Sequence, residues 1–162
     1  MKFYFDTFLT PLGKFSVAVD EKGALAAAAF GGVDALRKRF RAEELVRDER
    51  CVEKARCQIG EFFAGRRTGF DLAFSPVGTE FQRVVWRQLQ RIPFGQTRSY
   101  AQVAAAIGRP RAARAVGRAI GSNPICLLTP CHRVIGADGS LAGFAFGQKL
   151  KRQLLEHEER VR

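Results

Sequence analysis

The chain has 162 residues, and its 27 Lys+Arg against 16 Asp+Glu give a formal charge of +11. That length supports a buried core in one large domain or two small ones, and the charge calls for a polyanionic partner. No apolar run approaches the ~20 residues of a membrane span, and four cysteines without a C-x-x-C pair, with only two histidines, offer no zinc spacing. No metal, cofactor or membrane contact is expected. The residues after Met1 lack a signal-peptide pattern, so a reduced, cytoplasmic protein is expected.

The first thirty residues alternate in polarity and are punctuated by Pro11-Leu12-Gly13 and Glu21-Lys22-Gly23. This predicts an antiparallel meander over 2–9, 14–20 and 24–30. Helical spacing follows at 34–46, with a Glu43–Arg47 pair one turn apart, and at 51–64. Cys51 and Cys57 are read as packing residues of the second helix, and 70–74 as a last strand. Ser75-Pro76-Val77-Gly78 reads as a boundary. An α/β scaffold domain over 1–76, with an antiparallel sheet and helices, then precedes a mainly α-helical domain over 77–162.

The charge lies mostly in that second half. Residues 1–74 hold 13 Lys+Arg against 11 Asp+Glu, and the remainder 14 against 5. From Gly78 to Ala137 the only acid is Glu80, facing nine arginines. Arginine forks suit phosphate and nucleic acid. Thr79 is placed to cap a helix over 80–91, whose stripe of Phe81, Val84, Val85, Trp86 and Leu89 reads as core. Ser99 caps a second helix over 100–107. Gly108-Arg109-Pro110 turns the chain into a third over 111–121. Short helix, glycine-containing turn and helix with exposed arginines form a helix-turn-helix pattern. The third helix is nearly bald, built on alanine and glycine with Arg111, Arg114 and Arg118 along one stripe. Small side chains let a backbone approach nucleic acid closely.

Asn123-Pro124 stops that helix, and the apolar run 125–129 leads to Pro130-Cys131-His132-Arg133-Val134. A cysteine attacks as the thiolate, which nearby positive charge favours. The pentapeptide alone serves a reactive thiol and a small buried residue equally well. Its adjacency to a DNA-facing helix points to thiolate chemistry on nucleic acid, which requires the target base to leave the stack.

The stretches Gly78-Thr79-Glu80-Phe81-Gln82, Val85-Trp86, Ile92 to Tyr100, Arg114-Ala115-Val116-Gly117, Asn123-Pro124, Pro130 to Gly136 and Leu154 to Glu158 resemble the O6-alkylguanine-DNA alkyltransferases, single-turnover repair proteins. The resemblance implies a ribonuclease-H-like first domain, a monomer, and minor-groove binding to double-stranded DNA carrying alkylated bases. It implies that Cys131 accepts the alkyl group from guanine O6, with O4-alkylthymine as a second candidate substrate. His132 would deprotonate Cys131 through a water and Glu158 would orient His132. Asn123 would tie the DNA-reading helix to the active-site turn. Arg114 would fill the gap left by the flipped nucleotide. Tyr100 would help rotate the flanking phosphate and donate to guanine N3. Ile120, Val134, Ala145 and Phe146 would line the base pocket.

This sequence departs from the family pattern at Gly143-Phe144-Ala145-Phe146-Gly147, where Phe146 puts a ring in place of the usual glycine at the pocket lip. The reactive cysteine argues against a transfer-inactive alkyltransferase-like protein. The bare helix argues against a helix-turn-helix regulator, and the arginine field against a cysteine hydrolase.

Overall fold

The computed structural model describes residues 1–161. They form two compact units: Met1–Val77 with Pro124–Leu128, and Gly78–Asn123 with the chain from Thr129 onward.

The first unit is built on a mixed four-stranded sheet of order β3-β2-β1-β4. Strands β1 (Lys2–Thr10), β2 (Gly13–Val19) and β3 (Leu25–Phe30) form the expected antiparallel meander. Gly13, at φ +113°, and Gly23, at φ +81°, supply left-handed turn positions that other residues resist. β3 is buried along its whole length and Phe15–Val19 of β2 likewise, so both faces of the central sheet are covered.

The expectation of a wholly antiparallel sheet fails at β4 (Glu44–Arg47), which pairs parallel to β1 from Lys2↔Glu44 to Phe5↔Arg47. The helix expected over 34–46 is therefore only one turn, α1 (Val33–Arg37). Leu45 and Val46 satisfy the open edge of β1 instead, a tertiary gain that outweighs helical spacing. Glu43 pairs with the Met1 ammonium, and Arg47 reaches the buried Asp6 at 3.2 Å, so the expected Glu43–Arg47 helical pair does not form.

A 3-10 turn, Glu49–Val52, leads into α2 (Glu53–Phe63). Ala55, Ile59 and Phe62 face the core of this unit. Cys51 and Cys57 are exposed, so neither is the packing residue expected. The strand expected at 70–74 shrinks to a single bridge, Leu25↔Phe74. A second bridge, Ala28↔Ile125, brings in the segment Pro124–Leu128 through Ala28 N–H to Pro124 O (2.8 Å) and Cys126 N–H to Ala28 O (3.0 Å). These two bridges cover the β3 edge of the sheet.

The second unit holds α3 (Glu80–Leu89), β5 (Arg98–Ser99), α4 (Tyr100–Ala106), α5 (Ala113–Gly121), β6 (Val134–Ile135) and α6 (Gln148–Val161). Thr79 and Ser99 both close capping boxes, with Gln82 and Gln102 as the reciprocal partners. The third predicted helix starts two residues late, because Ala112 N–H closes a turn onto Arg109 O. α5 packs against both α3 and α4. Trp86 is core, as expected, and its indole N–H donates to Ala119 O at 2.8 Å. A Cβ at Gly78 would lie 2.5 Å from that indole, so only glycine fits there. The buried cluster of Val85, Leu89, Ile92, Val103, Val116 and Ile120 also takes in Cys131 and Val134.

Candidate active site

Cys131 opens a 3-10 turn, Cys131–Arg133, and is buried with 7% of its surface exposed. The approach runs through Leu127, at φ +73°, the one non-glycine residue in the left-handed region among those described. Within the second unit Cys131 N–H donates to Thr129 O at 2.7 Å. The Asn123 side-chain amide donates to the same carbonyl at 3.2 Å. Asn123 thus joins the end of α5 to the turn that carries the thiol.

His132 is fully buried and its Nε2 lies 2.6 Å from Glu158 Oε2. Glu158 also accepts from Gly95 N–H at 3.0 Å and from Arg133, whose Nε lies at 2.9 and 3.1 Å and Nη2 at 3.0 Å. Arg133 Nη1 donates to Ile92 O at 2.8 Å, and its guanidinium lies 5.7 Å from the Phe94 ring. Burial pushes the Glu158 carboxyl up, but His132 and Arg133 together outweigh it and hold it at about 2. Burial lowers His132 below its ordinary 6.5; Glu158 pulls it up, while Arg133 and Lys151 add to the lowering. A neutral ring donating to a carboxylate carries its proton on Nε2. Its Nδ1 is then a lone-pair acceptor, and that atom is buried with no hydrogen-bond partner from the protein. A buried polar atom left this way is a seat for a water or a substrate group.

Arg133 is the permanent cation nearest to Cys131 in sequence. Its guanidinium is committed to Glu158 and Ile92, and it fixes the carboxylate that orients His132. Lys151 is a cation that does act on Cys131 electrostatically; it is buried on α6 with its Nζ 6.0 Å from the Tyr100 ring centroid. Burial lowers Lys151 below 10.5 and the Cys131 charge raises it. Sequence reasoning assigned neither role. The available signal was the Lys151, Leu154, Glu158 spacing, which puts all three on one buried face of α6.

Tyr100 is half-buried against the same cluster, and its hydroxyl donates to Ala142 O at 3.1 Å. Burial and the Cys131 charge both raise its pKa, so it stays a donor through the physiological range. Ile120 and Val134 are buried in the cluster with Cys131. Phe144 packs on that cluster, and Phe146 sets its ring 5.7 Å from Phe144 in an edge arrangement. Ala145 is exposed, Arg114 and Arg118 are exposed on α5, and Arg111 is exposed just before it. Cys131, His132, Glu158, Tyr100, Asn123, Ile120 and Val134 are therefore drawn around one turn, whereas Arg114 and Ala145 face solvent.

Residues 80–160 match the family model described as "6-O-methylguanine DNA methyltransferase, DNA binding domain". The chain is 41% identical over 159 residues to a methylated-DNA–protein-cysteine methyltransferase of Methanosarcina barkeri, covering 96% of this chain and 97% of that one. It is 45% identical over 125 residues to the inducible methyltransferase of Bacillus subtilis, covering 77% and 70% of the two chains. Its fold is similar to that of Mycobacterium tuberculosis OGT, solved in complex with DNA, at 38% identity and a TM-score of 0.88 over 98% of this chain and 94% of that one. A buried cysteine, an oriented histidine and these relatives agree: the chain belongs to the methylated-DNA–protein-cysteine methyltransferase family.

Proposed function

We propose that this protein repairs DNA by taking the alkyl group from guanine O6 onto Cys131, once per molecule. The observation that carries the reading is the buried Nδ1 of His132, which no protein group satisfies, one residue from a buried thiol, in a chain of this family. A water on Nδ1 passes the thiol proton to His132, whose Nε2–H stays on Glu158. The sulfur attacks the alkyl carbon, the S–C bond forms and the C–O6 bond breaks. The electron pair passes to guanine, whose N3 accepts a hydrogen bond from the Tyr100 hydroxyl; the thiol proton held on His132 returns through water to the released base, so both side chains end neutral. A thioether resists water and thiols, so the protein is consumed.

In this reading residues 77–162 are the DNA-binding and transfer domain and 1–76 a ribonuclease-H-like scaffold. α4 and α5 act as a helix-turn-helix entering the minor groove, with Arg114 filling the gap left by the flipped nucleotide. Ile120, Val134, Ala145 and Phe146 line the base pocket. The protein works as a cytoplasmic monomer; no described helix is long and apolar enough to cross a membrane. Binding to undamaged duplex should weaken steeply with salt.

Duplex carrying O6-methylguanine labelled in the methyl group tests the proposal. Label on the Cys131 peptide is the expected result. Label released as methanol would make the protein a hydrolase, and binding without transfer would make it a sensor.

Two further results are expected. The transfer rate should stay level as pH falls to 6.5 and decline only below it, because burial keeps His132 unprotonated past its ordinary value; stopped-flow rates from pH 8 to 5 check this. Stability follows the same sign: the unfolded His132 binds a proton first, so stability is full above 6.5 and falls on acidification. Phe146→Gly should raise the rate with free benzylguanine by about tenfold or more, the size of one pocket contact, while the methylated-duplex rate changes little. Equal benzylguanine rates for variant and parent would remove Phe146 from the pocket lip.

A further inference from the structure

The Tyr100 hydroxyl is seated by backbone. It donates to Ala142 O at 3.1 Å, and the next residue, Gly143, has no side chain to intrude. A Cβ at Gly143 would lie 2.6 Å from Tyr100 Oη but 3.6 Å from Cζ. The first distance is a clash and the second an ordinary contact, so the conflict is with the hydroxyl and not with the ring. Gly143 is also left-handed, at φ +92°. Gly147 shares that backbone, at φ +94°, yet a Cβ there would meet nothing within 4 Å. Two glycines of one loop thus carry the same conformational demand, and only one carries the clearance.

We propose that Gly143 is a positioning residue for alkyl transfer: its missing side chain is the space in which the Tyr100 hydroxyl is parked against the Ala142 carbonyl. A 3.1 Å O–H···O contact is long and weak. It holds the donor near one rotamer and yields readily to a better acceptor, such as a purine nitrogen gaining charge as it leaves. A donor already aimed needs no reorganisation when the bond to carbon breaks. This inference rests on the role given to Tyr100 above.

The test compares full-length Gly143→Ala, Gly147→Ala, Tyr100→Phe and the Tyr100→Phe/Gly143→Ala double variant by methyl-transfer rate and by affinity for undamaged duplex. Gly147→Ala measures the cost of a left-handed alanine alone and should stay within about twofold of the parent rate. Gly143→Ala should lose about 10- to 100-fold in rate, as a donor displaced by an ångström does, with duplex affinity unchanged. In the Tyr100→Phe background the same substitution should change the rate less than about twofold, because only the ring contact at 3.6 Å remains. A Gly143→Ala penalty that persists undiminished without the hydroxyl, or one no larger than that of Gly147→Ala, overturns the proposal. Should Gly143→Ala not fold, the double variant must fold; its failure beside a folded Gly147→Ala overturns the proposal too.

A second readout separates this inference from the role of Tyr100 itself. The chain has two tyrosines, Tyr4 and Tyr100, so 13Cζ-tyrosine labelling gives two signals. Gly143→Ala should move the Tyr100 signal and Gly147→Ala should not; an unmoved signal defeats the seating. A parent-like transfer rate in Tyr100→Phe would instead defeat the donor role of Tyr100.

Discussion

Cys131→Ser should abolish alkyl transfer, by at least about a thousandfold, in line with removal of a nucleophile elsewhere. Sulfur ionises near neutral pH, is soft, and attacks a saturated carbon well; an alcohol oxygen meets none of those conditions. His132 cannot rescue it, because a neutral imidazole acting through water is too weak a base to generate an alkoxide. The same variant should bind undamaged duplex like the parent, since the exposed arginines of α5 are untouched. It should lose about 1–3 kcal/mol of stability, because the new hydroxyl enters a buried apolar cluster. Single-turnover rates, duplex titrations and denaturant melts measure the three separately.

Glu158→Ala should have the next largest effect, on stability and rate together. The carboxylate is 1% exposed and accepts from His132, Arg133 and Gly95. Its removal leaves the Arg133 guanidinium buried without its counter-charge, a loss of about 3–5 kcal/mol. The His132 ring also loses the acceptor that fixes its proton on Nε2, so the rate should fall about 10²- to 10⁴-fold. Glu158→Gln separates the two effects. It keeps shape and an acceptor oxygen but loses the charge, so it should fold better than alanine and still transfer slowly. An unchanged rate in Glu158→Gln would show that Glu158 does not orient the base. In the parent, the Glu158 contribution is complete above its ordinary 4.5 and is lost as pH falls towards about 2, so acid unfolding should be steep in that window.

The meander was legible because strict alternation and turn glycines say the same thing locally. β4 was not: Leu45-Val46 sits in a charged stretch whose spacing also suits a helix, and its partner strand lies forty residues upstream. The run 125–128 read only as an approach to Cys131, because nothing local reveals that Ile125 bridges Ala28. α6 drew no helix assignment because its buried face carries Lys151, His157 and Glu158, which hide the apolar period. The chemistry was easier to see than the scaffold. Cys131 and His132 are neighbours in sequence, and the caps at Thr79 and Ser99 mark their helices. What escaped was Arg133, whose partner Glu158 is 25 residues away on another element.

Titrating the protein with duplex containing one O6-methylguanine per molecule, and weighing the intact chain at each step, decides whether Cys131 keeps the alkyl group. Every molecule should gain the mass of one methylene on Cys131, and reaction should stop at one equivalent. An unmodified chain beside repaired DNA, or repair continuing beyond one equivalent, would contradict the proposed single transfer.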